Sequence, residues 1–171
     1  MTNMVSTIAN SNHALGFGGD GGAATDARLY RPSAVTRCSN GDLFIADTGN
    51  NRVRRIVAAT GVISTVLGDG VPASSGEGSP ARTFPVDGPR GLACDALGNL
   101  FVTSTTTVRL VTASDTGVVD GSGNVKTIYG APPRDVFPSS ITSCLTALAV
   151  TAPAKVQVTD ACTGLLLELS H

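Results

Sequence analysis

Charge is scarce in this 171-residue chain, and the two signs nearly cancel. Charged residues make up 15% and the formal net charge is −1, so nothing favours nucleic acid or an anionic membrane as a partner. Histidine is almost missing: His13 and His171 stand at opposite ends. Cys38, Cys94, Cys144 and Cys162 follow no zinc spacing, so neither a metal nor another cofactor is expected. No apolar run approaches the ~18–20 residues of a membrane span. The first residues, Met-Thr-Asn-Met-Val-Ser, hold no basic stretch followed by an apolar one. No secretory signal is read from them, and the compartment stays open.

What is present points to turns and short strands. Apolar residues reach 42%, which excludes a disordered tail. Twenty Gly and nine Pro supply turn positions between runs rich in Val and Thr.

The main signal is an internal repeat. Residues 43–56 (Leu-Phe-Ile-Ala-Asp-Thr-Gly-Asn-Asn-Arg-Val-Arg-Arg-Ile) recur at 100–111, two residues shorter in the turn, and again without a gap at 156–169. Starts at 43, 100 and 156 are 57 and 56 residues apart. Val35, Leu92 and Leu148 fall at one phase upstream of these segments. A third series reads Ser6-Thr-Ile8, Ser64-Thr-Val66 and Lys126-Thr-Ile128. Within each unit the alternation of Leu43 and Ile45 against Phe44 and Ala46 has the two-residue period of a strand. Asn40-Gly41, Gly98-Asn99 and the run from Thr48 to Asn51 mark tight turns. Each unit therefore reads as four antiparallel strands. Such a sheet cannot bury both of its faces alone, so the units are expected to stack as propeller blades.

These residues resemble the NHL repeat family. Residues 18–32 (Gly-Gly-Asp-Gly-Gly-Ala-Ala-Thr-Asp-Ala-Arg-Leu-Tyr-Arg-Pro), followed at 40–56 by Asn-Gly-Asp-Leu-Phe-Ile-Ala-Asp-Thr-Gly-Asn-Asn-Arg-Val-Arg-Arg-Ile, look like its long form. The second unit departs from the pattern where Asp47 becomes Ser104, and the third is degenerate. The resemblance implies an all-β propeller, usually of about six blades, that serves most often as a binding platform. Some related propellers are hydrolases or lyases whose inward His, Asp, Glu or Asn ligands come from several blades. This chain has no such set, so no catalytic residue is expected. The alternative of a partial enzyme completed by further blades stays open.

Read strand by strand, residues 5–9 form the outer strand of a neighbouring blade. Unit one spans 32–67, unit two 89–130 and unit three 144–169, the last with three strands. Three blades are fewer than the roughly 4–8 of a closed ring. Either the chain is part of a longer protein, or two copies form a homodimer that completes a ring of about six blades.

Other motifs have plainer readings. Gly16-Phe-Gly-Gly-Asp-Gly21 satisfies G-x-G-x-x-G, but Pro32 and strands follow where a dinucleotide site needs a helix. It reads as a connection between blades. Asp47-Thr-Gly49 imitates an aspartic protease, yet that chemistry needs two carboxylates and the equivalent positions are Ser104 and Asp160. Asp47 is expected instead to accept backbone N–H bonds and order its hairpin. Arg52, Arg54 and Arg55 beside it read as charge partners of Asp47 or as exposed solubilising side chains, with an anion-binding or partner-binding rim as the functional alternative. The acids Asp20, Asp26, Asp42 and Asp47 match no calcium loop.

Cys144 and Cys162 bracket a hairpin turning near Ala152 to Ala154, so a disulfide between them is expected, which would favour an extracellular compartment. Cys38 and Cys94 read as small core residues. The expected core is Val35, Leu43, Ile45, Val53, Ile56, Leu92, Leu100, Val102, Leu148, Val156 and Val158. The expected function is a non-catalytic scaffold engaging a protein or peptide partner, with Asp47, Asn50, Asn51 and Arg52 as candidate binding residues on a rim.

Overall fold

The computed structural model describes residues 4–73, 78–130, 145–152 and 155–170. Three antiparallel sheets follow one another along the chain. The first holds β1 (Ala34–Arg37), β2 (Leu43–Asp47), β3 (Arg52–Ile56) and β4 (Ile63–Leu67), in sequence order. The second repeats the plan with β5 (Leu92–Cys94), β6 (Leu100–Thr103), β7 (Val108–Val111) and β8 (Val125–Tyr129). The third holds β9 (Leu145–Ala152), β10 (Lys155–Asp160) and β11 (Leu165–Ser170), with β10 in the middle. The innermost strands β1, β5 and β9 lie side by side. Sheets radiating from neighbouring first strands are blades, so the chain is an all-β partial propeller.

Registers match between blades. Leu43 pairs with Ile56, and Leu100 with Val111. In both blades a register shift sits at the start of the pairing between the third and fourth strands. The turns Asn40-Gly41 and Gly98-Asn99 form as expected, with Gly98 at φ 84°; a Cβ there would collide with the Gly117 carbonyl.

Alternation puts one face of each blade against its neighbour. Between the first two sheets Phe44, Ala46 and Val53 meet Leu92, Leu100, Val102 and Val111. Between the second and third, Phe101, Val108 and Leu110 meet Leu145, Val156 and Val158. Each fully buried side chain of this size contributes about 1.5–3 kcal/mol, so these two seams hold the arc together.

Most of the expected core is buried, and Leu43 and Leu148 are partly so. Val35 departs from expectation at 62% exposed. Its counterpart Leu92 packs against the first blade, whereas none of the described sheets lies over the corresponding side of β1.

The connections into the blades are equivalent too. A 3-10 turn at Ala24–Asp26 precedes the first blade, and another at Ala81–Thr83 precedes the second. The Ala24 amide donates to the Gly61 carbonyl and the Ala81 amide to that of Gly123, both at 2.9 Å. Each connection is thereby tied to the last corner of the blade it enters. Residues 5–9, expected to form an outer strand, belong to no sheet among the described residues.

Cys38 and Cys94, expected as small core residues, are joined by a disulfide with Cα atoms 5.5 Å apart. They follow or end the first strands of adjacent blades at one repeat phase, so the side-by-side approach of β1 and β5 brings them into bonding range. Of the expected Cys144–Cys162 pair, Cys144 lies outside the described residues, as does part of the hairpin turn near Ala152 to Ala154.

Candidate functional site

The β2–β3 turn is built around a buried carboxylate. Asp47 ends β2 and is fully buried. One carboxylate oxygen accepts the Tyr30 backbone N–H at 2.8 Å. The other accepts the Asn50 side-chain amide at 2.8 Å and Arg54 Nη1 at 3.4 Å. Burial pushes the Asp47 carboxyl above its usual range, while Asn50, the Tyr30 amide and Arg54 pull it back. This carboxylate serves the hairpin and the incoming chain, as its place in the repeat implied.

Arg54 is fully buried beneath the glycine-rich connection. Besides Asp47, its guanidinium binds the carboxylate of Asp20 and donates to the carbonyls of Gly18 (3.2 Å) and Arg28 (3.4 Å). The Gly16-Phe-Gly-Gly-Asp-Gly21 stretch thus wraps a cation of the chain itself. A buried charge demands this degree of pairing. Arg55 pairs separately with Asp42 at 2.6 Å.

The remaining turn residues fasten loops. Asn50 donates to the Gly16 carbonyl at 2.8 Å. Asn51 adopts a left-handed conformation at φ 53°; its side chain accepts the Gly88 N–H at 3.0 Å and donates to the Gly70 carbonyl at 3.3 Å. Arg52 donates to the carbonyls of Asn50 and Asp69 and lies 3.9 Å from the Phe17 ring centroid. The four residues picked from the sequence therefore come together. Asp47 sits beneath the surface, and the other three are half-buried.

What this framework presents outward was not foreseen. Phe17 is 41% exposed, Tyr30 38% and Leu15 71%. Phe17 rests on Arg52, Leu15 bridges to Leu29, and Tyr30 packs against Gly49, whose added Cβ would collide with the ring. Phe17 and Tyr30 lie against the β2–β3 turn, and Leu15 precedes Gly16, whose carbonyl Asn50 holds. The available signal was an aromatic inside the glycine run and another beside Pro32. Neither reports its exposure in the sequence, because loop aromatics have no strand period.

Among the described residues no cluster of three or more His, Cys, Asp or Glu could hold a metal ion, and no helix is long and apolar enough to cross a membrane.

The NHL repeat family matches residues 29–56, which run from the end of the glycine-rich connection to the end of β3. Human teneurin-4 is 50% identical over 40 residues, covering 23% of this chain and 1% of the teneurin. Human teneurin-1 is 48% identical over 40 residues, with 23% of this chain and 2% of its own length covered. The chain therefore spans only a small part of these curated relatives. Among solved structures, a catalytically inactive virginiamycin B lyase from Staphylococcus aureus with quinupristin is 12% identical with a TM-score of 0.47. A streptogramin B lyase is 14% identical with a TM-score of 0.48. Both matches cover 81% of this chain and 40% of the other. With its repeated four-stranded sheets and the matched repeat at residues 29–56, the chain is a β-propeller segment carrying an NHL repeat.

Proposed function

We propose that the chain is a non-catalytic scaffold that engages a protein or peptide partner on the face carrying the β2–β3 turn. The observation that carries this reading is the patch of Leu15, Phe17 and Tyr30 beside Arg52, held from below by the Asp47–Arg54 network. Aromatic residues and Arg are the types enriched where binding energy concentrates. A loop surface fixed in advance loses little entropy when a partner docks. In this reading Arg52, Asn50 and Asn51 touch the partner at the rim, and Asp47 acts by positioning them.

The test compares wild type with the double variant Phe17→Ser, Tyr30→Ser at matched melting temperature. A partner isolated on the wild type should bind the variant at least about tenfold more weakly, as removal of interface anchors does. Unchanged affinity would remove the patch from the reading. Stoichiometric divalent metal in the purified protein, measured by atomic emission, would favour a hydrolase or lyase instead.

A further inference from the structure

Residues 5–9 read Val-Ser-Thr-Ile-Ala. The outer strands of the first two blades read Ile-Ser-Thr-Val-Leu (β4) and Val-Lys-Thr-Ile-Tyr (β8). The agreement extends to the joint that follows. Asn10 has φ 53° and its amide donates to the Ala24 carbonyl at 3.0 Å. Gly68 has φ 99° and its amide donates to the Ala81 carbonyl at 3.1 Å. Residues 5–10 thus stand before the first blade as residues 63–68 stand before the second.

Their environment is the opposite. Ile63 and Val66 are fully buried, whereas Val5 is 100% exposed and Ile8 56%. The segment carries the apolar pattern of a blade's outer strand, yet no sheet among the described residues receives it. At the other end of the array, β11 is the edge of a three-stranded sheet, with its outer side unpaired among the described residues. An open edge and an unpaired strand are complementary, because added strands dock through the backbone groups an edge leaves free.

We propose that residues 5–9 of one copy add to β11 of a second copy as the fourth strand of its third blade, and that two copies exchange these arms reciprocally. The blade registers specify the pairing. Val53, Arg54, Arg55 and Ile56 face Leu67, Thr65, Ser64 and Ile63. Val108, Arg109, Leu110 and Val111 face Tyr129, Thr127, Lys126 and Val125. On the same plan Leu166, Leu167, Glu168 and Leu169 face Ala9, Thr7, Ser6 and Val5. The pairing reduces the exposure of Val5 and covers the β11 edge.

The outward face of the third sheet makes the strand, rather than sheet-on-sheet packing, the main contact. Where the first two blades carry Phe44 and Phe101, the third carries Gln157. Gln157 and Lys155 both bond Glu168 on that face, and Thr146 pairs with Thr159 at 3.0 Å. These polar side chains suit water, and Leu166, paired with Thr159 on the same face, is the large apolar side chain exposed there, at 65%.

The test is light scattering of the 171-residue protein across a concentration series, with Val5→Asp, Ile8→Asp beside it. Twice the chain mass of 17.2 kDa is expected for wild type, and the single mass for the variant. These substitutions lie on an exposed segment, so an unchanged melting profile certifies the fold. A second variant, Ser6→Cys with Glu168→Cys, should give a reducible intermolecular dimer that neither single substitution gives. A monomeric wild type, as expected if the arm serves a blade of a longer chain, overturns the proposal. A dimer that survives the arm variant overturns it equally.

Discussion

The first and second blades solve one problem in two ways. Each must fasten the chain that enters it, and each keeps an arginine at the same register, Arg54 or Arg109, with almost no exposure. In the first blade Asp47 and Asp20 supply the opposite charge, and the incoming chain contributes Ala24, Ala27 and Leu29. In the second blade the position of Asp47 is Ser104, bonded to Thr107 at 2.7 Å. There the incoming chain contributes Phe84 and Val86, both fully buried, and the Phe84 ring lies 4.4 Å from the Arg109 guanidinium carbon. The position of Phe84 is Ala27 in the first connection, and the ring near Arg54 there is that of Phe17, 5.0 Å away and reaching the surface. The first entry is a carboxylate clamp that leaves its aromatic outside; in the second a buried aromatic plug lies on the arginine, whose Nε also donates to Thr107 at 3.3 Å. This difference explains why the exposed aromatic patch lies on the first blade.

The sharpest way to break the comparison is to remove the carboxylate. Asp47→Ala takes one of two carboxylates from a buried guanidinium and leaves the Tyr30 N–H and the Asn50 amide without their acceptor, a loss of up to about 3–5 kcal/mol for a broken buried pair. Ser104→Ala at the equivalent position should cost about 1 kcal/mol, the worth of a neutral hydrogen bond. Urea unfolding of the two variants measures the gap, and equal losses would refute the distinction. The reverse asymmetry holds for the plug. Phe84→Ala should cost about 3–5 kcal/mol, because a fully buried ring leaves a cavity.

A smaller effect concerns the seam between the blades. Cys38→Ser with Cys94→Ser removes a bridge across a separation of 56 residues, which typically lowers stability by about 2–4 kcal/mol. The loss should appear when wild type and variant are compared under non-reducing conditions and vanish when both are reduced.

Much of this fold was legible in the sequence because repetition turns weak local signals into a strong register. Leu43 and Leu100 each begin a strand, and the all-β partial propeller follows from that periodicity. The hydrogen-bonding role of Asp47 was also readable, since a carboxylate at a strand end beside a turn can order it, but the burial of Arg54 was not, because a charge partner and an exposed solubilising side chain read alike in sequence. Contacts between units were harder to read. Cys38 and Cys94 occupy one phase, but phase alone does not say how closely two first strands approach. Val35 has the same sequence phase as Leu92, and its exposure depends on whether another sheet covers it. The aromatic patch was missed because Phe17 and Tyr30 lie in irregular chain, where no periodicity reports which way a side chain points.

The smallest effect sharpens the comparison most. Phe17 and Phe84 both lie over a buried arginine, but Phe17 is 41% exposed and Phe84 is not exposed at all. Phe17→Ala therefore loses mainly a partly solvated contact with Arg52 and Arg54, worth about 0.5–1 kcal/mol. Asn50 still holds the Gly16 carbonyl and Arg54 still holds that of Gly18, so the connection keeps its path. A denaturation midpoint close to wild type is expected. A loss as large as that of Phe84→Ala would mean that Phe17 is a core residue of the first blade, and a ring already needed for folding would be a poor candidate for an anchor offered to a partner.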